Sequence, residues 1–254
     1  SSSPSSCSPP SHLPDPGPRA ALRELVFDSP LGELAATMMR SETCGLLFDI
    51  AFVKDPRSSH HTPWHQDTPY YQIRGTQLCG TWMSLDPTTL ANGGLEWIRG
   101  SHKWGRTFEP DLFNGEFNTD LRLGREQIPD IDNHREDYDI VHFDTEPGDV
   151  IVDHSLVVHG GGVNSTGQPR RVITHHFFGD DARFQETPPS RGYEDSRDLG
   201  LADGDPFPPG HELVPRVWPK RPRSGWPTPR HWHDLPGTVR SASQMMAAKK
   251  LNTD

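Results

Sequence analysis

The chain has 254 residues, a formal net charge of −10 and a hydrophobic fraction of 32%. That length supports one sizeable domain with a proper core, the acidic balance argues against binding that relies on neutralising nucleic-acid phosphates, and no apolar run approaches the ~20 residues that span a bilayer. Cys7, Cys44 and Cys79 are too few and too scattered for a disulfide framework, and their odd number fits a reducing, intracellular and cytoplasmic setting.

In chain order, residues 1–18 contain thirteen Ser or Pro and are read as a disordered or trimmed tail, with neither the apolar core of a secretory signal nor the basic character of a transit peptide. Residues 19–254 are expected to form a single domain. Asp28-Ser29-Pro30 is a helix start, with Ser29 able to cap and Pro30 suited to the first turn. Leu31, Leu34, Ala35, Met38 and Met39 then recur at helical spacing and predict one apolar stripe packed on a sheet. Residues 46–53 form a dense apolar run stopped by Asp55-Pro56, as expected of a buried strand. Further strands are predicted over 76–85, 95–98, 140–143, 150–153, 156–159 and 171–178, with Pro147-Gly148-Asp149 as a turn. Residues 105–139 show no sustained period and read as a long insertion over one mouth of a barrel. Beyond 185 the chain has nine prolines between 206 and 236, together with Trp218, Trp226 and Trp232, and is expected to wrap the core as irregular chain. Many short strands with Gly/Pro turns predict a mainly β barrel or sandwich with flanking helices.

The chemistry concentrates in Thr62-Pro63-Trp64-His65-Gln66-Asp67-Thr68-Pro69-Tyr70-Tyr71 and in His159-Gly160-Gly161-Gly162-Val163-Asn164, followed by Arg170. Residues i and i+2 of an extended segment project to one side, so His65 and Asp67 can hold one face of an ion while His159 arrives from another strand. Two histidines and one carboxylate leave other coordination positions open, which is the ligand set of non-haem iron(II) oxygenases. The same ligand types serve catalytic zinc, although the helical His-Glu-x-x-His of zinc peptidases is absent. With fourteen histidines, each assignment has rivals. His154 lies an odd number of residues before His159 and should face the other way along a strand. His60, His61, His102, His142, His175 and His176 are read as solvated or core histidines.

The ordered series Thr62-Pro63-Trp64-His65-Gln66-Asp67, Trp82, Asn92-Gly93-Gly94-Leu95-Glu96, Gly100-Ser101-His102, Pro147-Gly148-Asp149-Val150, His159-Gly160, Asn164 and Arg170 resembles the phytanoyl-CoA dioxygenase family of 2-oxoglutarate-dependent oxygenases. The likeness spans roughly residues 46–184. It implies a double-stranded β-helix, the jelly-roll core of such enzymes, over about 46–184. It also implies Fe(II) held by His65, Asp67 and His159, with 2-oxoglutarate and dioxygen as co-substrates. In the family an arginine follows the distal histidine by eleven residues, which is Arg170 here, and a planar guanidinium matches the far carboxylate of 2-oxoglutarate. Strand alternation then turns Arg171 away. The resemblance places Gln66 and Trp82 along the co-substrate pocket. Tyr70 and Tyr71 are candidates for a substrate channel. Arg99 stands where relatives commonly carry proline.

The expected activity is hydroxylation of a C–H bond in a small organic molecule, with release of succinate and carbon dioxide. Retention of Asp67 argues against halogenation, which needs that ligand position for halide. The alternatives are a non-catalytic jelly-roll protein that keeps a metal, and a zinc hydrolase.

Overall fold

In the computed structural model the described residues are 17–110, 124–186, 199–208, 210–211 and 213–219, with side chains described from residue 21 onward. Most of the Ser/Pro tail and most of the chain beyond 185, including Trp226 and Trp232, lie outside them.

The described chain opens with two helices, α1 (Gly17–Phe27) and α2 (Leu31–Met39). α1 was not expected from the sequence. α2 begins where predicted, with Pro30 as its N-cap residue and the Ser29 hydroxyl accepting a hydrogen bond from the Leu31 amide at 3.2 Å. Its buried stripe is Leu31, Gly32, Ala35, Ala36 and Met39, whereas Leu34 and Met38 are 37% and 59% exposed. The stripe is therefore rotated from the predicted one. Gly32 supplies the reason: a Cβ there would sit 3.0 Å from the Val217 carbonyl oxygen, so the small-residue side of the helix lies closest to the sheet. Among the described residues no helix is long and apolar enough to cross a membrane.

The strands are β1 (Cys44–Lys54), β2 (Thr62–His65), β3 (Ile73–Arg74), β4 (Leu78–Ser84), β5 (Leu95–Ile98), β6 (Ile140–His142), β7 (Val150–His154), β8 (His159–Gly161), β9 (Arg170–Phe178), β10 (Arg183–Phe184) and β11 (Arg216–Trp218). They form a five-stranded sheet in the order β11, β1, β9, β4, β7 and a four-stranded sheet in the order β2, β8, β5, β6, with β3 and β10 as a separate pair. All pairings within the sheets are antiparallel. This is the expected mainly β, cupin-like jelly roll. Two expectations are corrected. The predicted strand at 156–159 starts only at His159, because Ser155 to Val157 turn the chain between the two sheets. The segment beyond 185 is not wholly irregular, since β11 adds to the edge of the large sheet beside β1.

Strand register decides what faces inward, because residues directly opposite one another share a side of the sheet. One row runs Lys54 opposite Arg170, Phe52 opposite Val172, Ile50 opposite Thr174, and Phe48 opposite His176. It continues across β4 and β7 through Trp82, opposite Thr174 and Ile151, and Gly80, opposite His176 and Asp153. This face meets the small sheet: Trp82, Leu95, Trp97, Val157 and Val172 form one apolar cluster. The other face carries Cys44, Leu46, Cys79 and Phe177, on which both helices pack through Val26, Phe27, Leu31 and Ala35. Burial pushes the Cys44 and Cys79 thiols far up, so both behave as inert core groups.

Gly45 is a tight point on β1, where a Cβ would overlap the Phe178 ring. Gly45→Ala is expected to destabilise the fold by about 1–3 kcal/mol through overpacking, read as a lowered denaturant midpoint with an unchanged slope.

The insertion lies against the outer side of the small sheet, with Trp104, Phe108, Ile128, Ile131 and Tyr138 packed on Trp64, Ile98 and Val158. Residues 111–123 of it are outside the described residues. Asp180 and Asp181, at the end of β9, bind the 41–43 and 76–77 segments through backbone amides and hydroxyls and so act as local ties.

Candidate metal centre

His65 ends β2 and His159 begins β8, and the two are directly paired across these antiparallel strands. Asp67 follows two residues after His65, as the chain turns into a short 3-10 segment over Thr68–Tyr70. Its position is held by the Ser155 carbonyl, which accepts hydrogen bonds from the Asp67 and Thr68 amides at 3.0 Å each. One potential ligand atom from each of His65, Asp67 and His159 can be chosen so that all three lie within 4.8 Å of one another, and all three residues are buried.

The tautomers follow from the backbone. His65 Nδ1 lies 2.8 Å from the Pro63 carbonyl and His159 Nδ1 lies 3.1 Å from the Val157 carbonyl. A carbonyl only accepts, so each Nδ1 carries a proton, and the neutral form of each ring turns its Nε2 lone pair inward. Those lone pairs face the Asp67 carboxylate at 3.4 and 3.7 Å. Electron pairs converging on an anion are unfavourable unless a cation or protons lie among them. Burial pushes the Asp67 carboxyl up, and positive charge among the imidazoles of His159, His65 and His176 outweighs it and lowers the group below its usual range, so the site favours an ionised carboxylate wherever protons or a cation lie between it and the rings. Burial, with His159 alongside, pushes His65 down, which favours the neutral ring. The donor set thus fits a divalent cation held by two neutral imidazoles and one carboxylate, with each imidazole oriented by a carbonyl behind it.

His176, read from the sequence as a background histidine, stands next to this cluster. Its Nδ1 is 3.8 Å from Asp67 Oδ2 and 3.2 Å from the Tyr71 hydroxyl, and its ring stacks on Phe48 with centroids 4.3 Å apart. Burial lowers its pKa to about 4. The available signal was parity: Arg170 and His176 are both even-numbered positions of one strand and so share a face. Tyr70 lies edge-on to His65 at 5.9 Å, so both predicted tyrosines adjoin the cluster.

Asp153 was also missed. It points inward opposite Gly80 and accepts a hydrogen bond from Trp97 Nε1 at 2.7 Å. Burial of its carboxyl, partly offset by His159 and reinforced by Asp67, pushes its pKa up to about 6. No local motif marks it, since its neighbours in space, Gly80, Trp97, His159 and Asp67, come from four other strands or loops.

At the other end of the inward row sits Arg170, 3% exposed. Its Nη2 donates to the Gly93 carbonyl at 3.0 Å, its guanidinium carbon lies 5.6 Å from the Trp82 ring centroid, and its Nε has no partner among the described residues. Burial lowers its pKa to about 10, leaving it cationic at neutral pH. Arg171 faces out and forms a two-pronged pair with Asp86 at 2.6 and 2.8 Å. Lys54, opposite Arg170, was not singled out in the sequence. It is 7% exposed, and burial together with Arg170 lowers its pKa to about 7. A charged Lys54 is therefore penalised in the ligand-free fold, fully below pH 7 and progressively less as pH rises toward 10.5. Wild type should gain stability relative to Lys54→Met across that window, checked by denaturant midpoints at pH 6, 8 and 10.

The Gln66 amide is engaged on the side away from the metal cluster. It donates to the Arg106 and Leu156 carbonyls at 3.2 and 2.9 Å and accepts from the Phe108 amide at 3.0 Å. Being adjacent to His65 in an extended segment, Gln66 turns to the opposite side and ties the insertion to the sheet. Trp82 is buried core and also lies beneath Arg170. His154 faces away, its Nε2 near the Thr76 carbonyl at 3.1 Å. Asn164, 0% exposed, closes the turn between β8 and β9 by donating to the Lys54 and Gln168 carbonyls. Arg99 pairs with Asp139 at the surface.

Two facing antiparallel sheets with a His, Asp, His cluster between them define the cupin-like class of fold used by non-haem oxygenases. Known proteins narrow this. The sequence model described as Phytanoyl-CoA dioxygenase (PhyH) matches residues 12–172, well over half the chain. The chain belongs to the phytanoyl-CoA dioxygenase family. A probable phytanoyl-CoA dioxygenase of Caenorhabditis elegans is 31% identical over 49% of this chain and 38% of the relative. The human protein named phytanoyl-CoA dioxygenase, peroxisomal, is 29% identical over 50% of this chain and 36% of that protein. The aligned region thus spans only about two fifths of these relatives or less. Among solved structures, the non-heme alpha ketoglutarate dependent carbocyclase SnoK from nogalamycin biosynthesis shares the fold at a TM-score of 0.58 with 21% identity, covering 77% of this chain and 70% of that one. EvdO2 from Micromonospora carbonacea var. aurantiaca complexed with 2-oxoglutarate gives a TM-score of 0.51 at 27% identity, covering 68% of this chain and 69% of that one.

Proposed function

We propose that the protein is an Fe(II)- and 2-oxoglutarate-dependent dioxygenase that hydroxylates a C–H bond of a small organic molecule, with succinate and carbon dioxide as co-products. The observation that carries this reading is the set of two inward Nε2 atoms and one buried carboxylate, with an arginine on the inner face of the same barrel that has no carboxylate partner among the described residues. Family membership and the 2-oxoglutarate complex of EvdO2 support it.

In this reading His65, Asp67 and His159 hold Fe(II), and Arg170 holds the far carboxylate of 2-oxoglutarate. Iron and 2-oxoglutarate together supply the means of splitting dioxygen, one oxygen atom passing to succinate and the other to the product. The protein's own residues orient and exclude. The Pro63 and Val157 carbonyls keep both imidazoles in the ligating tautomer throughout turnover. On the inward row between Arg170 and His176 lie Val172 and Thr174, with Ile50 and Trp82 opposite Thr174, and the apolar three of these limit the water that could compete for the co-substrate. Asp153, His176, Tyr70 and Tyr71 lie near the metal ligands and are offered as the substrate-facing side. Arg170 sits three inward-facing positions away from His176 along β9, so substrate and co-substrate approach the metal from different ends of the row.

The test is anaerobic loading with Fe(II) and 2-oxoglutarate, then exposure to oxygen with succinate measured in the wild type and in His65→Ala. Succinate formation that requires 2-oxoglutarate and disappears in His65→Ala is the expected result. Folded, iron-loaded protein that fails to bind 2-oxoglutarate would instead identify a metal-retaining binding protein.

A further inference from the structure

Lys54 and Arg170 are placed directly opposite each other on paired antiparallel strands, both facing the barrel interior. They are 7% and 3% exposed, and neither forms an ion pair with a carboxylate among the described residues. The acidic group whose charge acts on Arg170 among the described residues is Asp86, which is already engaged by Arg171. Like charges directly across a ladder repel, and removing each from water adds a further penalty.

The hydrogen bonds around them do not cancel that charge. Lys54 Nζ donates to the Gly161 and Gly162 carbonyls, and Arg170 Nη2 donates to the Gly93 carbonyl. Both heads converge on Gly93, whose backbone lies at φ 83° and where a Cβ would stand 3.0 Å from Nζ. A glycine is needed there for the left-handed turn and for the space the ammonium uses. The Arg170 Nε meanwhile has no partner among the described residues. Two buried basic groups side by side, with donor capacity left over, form a receptor for an anion.

We propose that Lys54 is a second anchoring residue for the far carboxylate of the 2-oxo acid co-substrate, acting with Arg170 to make the pocket selective for a dicarboxylate. The inference rests on the co-substrate reading given above. One carboxylate oxygen can engage the guanidinium fork while the other meets the ammonium, so both charges are met by one ligand group. The competing explanation is purely structural, with Lys54 serving only to tie β1 to the glycine-rich turn after β8. That explanation gives no reason for the effect of a Lys54 substitution to depend on which ligand is bound.

Ligand dependence therefore decides. Binding of 2-oxoglutarate and of 2-oxopentanoate, the same chain without the far carboxylate, is measured by anaerobic calorimetry on the Fe(II)-loaded full chain. Wild type, Lys54→Met and Lys54→Gln are compared, since glutamine can still donate to the Gly161 and Gly162 carbonyls without the charge. Both variants are expected to weaken 2-oxoglutarate binding by at least about tenfold and 2-oxopentanoate binding by less than about twofold. Equal losses for the two ligands, or no loss for 2-oxoglutarate, would overturn the role of Lys54 while leaving the co-substrate reading intact. Wild type that binds neither ligand would overturn both. If neither variant folds, the wild type decides in buffers of different ionisation enthalpy: at pH 8, 2-oxoglutarate should take up a fraction of a proton beyond that seen with 2-oxopentanoate, and equal uptake would refute the proposal.

Discussion

Replacing Asp67 by alanine should abolish iron retention and succinate formation together, with affinity for Fe(II) falling by more than about 100-fold. Loss of a group that merely orients a ligand typically costs about 10- to 100-fold, and Asp67 is the ligand itself. The substitution also leaves two Nε2 lone pairs facing a small void, which two neutral imidazoles tolerate better than the carboxylate they now surround. The metal-free variant should therefore stay folded, and its melting temperature should no longer rise on addition of Fe(II), whereas that of wild type should. A variant that keeps wild-type succinate yield would show that Asp67 is not a ligand and would point to Asp153, a buried carboxylate that His159 and Asp67 influence, in its place.

Arg170→Leu should separate binding from chemistry. Truncating one partner of a buried charged contact costs about 2–5 kcal/mol, so the affinity for 2-oxoglutarate should fall by roughly 30- to 4,000-fold. Iron binding should be unchanged, because Arg170 belongs to the opposite end of the inward row from His176 and the metal cluster. Succinate formation at saturating 2-oxoglutarate should recover to within a few-fold of wild type. Leucine also removes a charge that repels Lys54, so the empty variant should be no less stable than wild type, read from chemical denaturation. A collapse of iron affinity in this variant would mean that Arg170 supports the metal cluster rather than the co-substrate.

What the sequence by itself determined was local and periodic. His65 and Asp67 are two residues apart in an extended segment, so their shared direction is a property of strand geometry and needs no knowledge of the fold. The alternation that places Arg170 inward and Arg171 outward is legible for the same reason, as are the strand cores and the start of α2 at Pro30. Only the tertiary structure decided which faces meet. Helical spacing could not say that Gly32 and Ala36, rather than Leu34 and Met38, would face the sheet, because that depends on how closely β11 lies beneath the helix. Gln66 sits beside two site residues in sequence, yet its amide is bound by the Arg106 to Phe108 segment and Leu156. Lys54, His176 and Asp153 carry no motif, and each acquires meaning from register: a lysine opposite Arg170, a histidine on the inner parity of β9, a carboxylate opposite Gly80 and hydrogen-bonded to Trp97. A charge is ordinary on a solvated strand and costly inside a barrel, and burial is settled by long-range pairing that spacing along the chain does not encode.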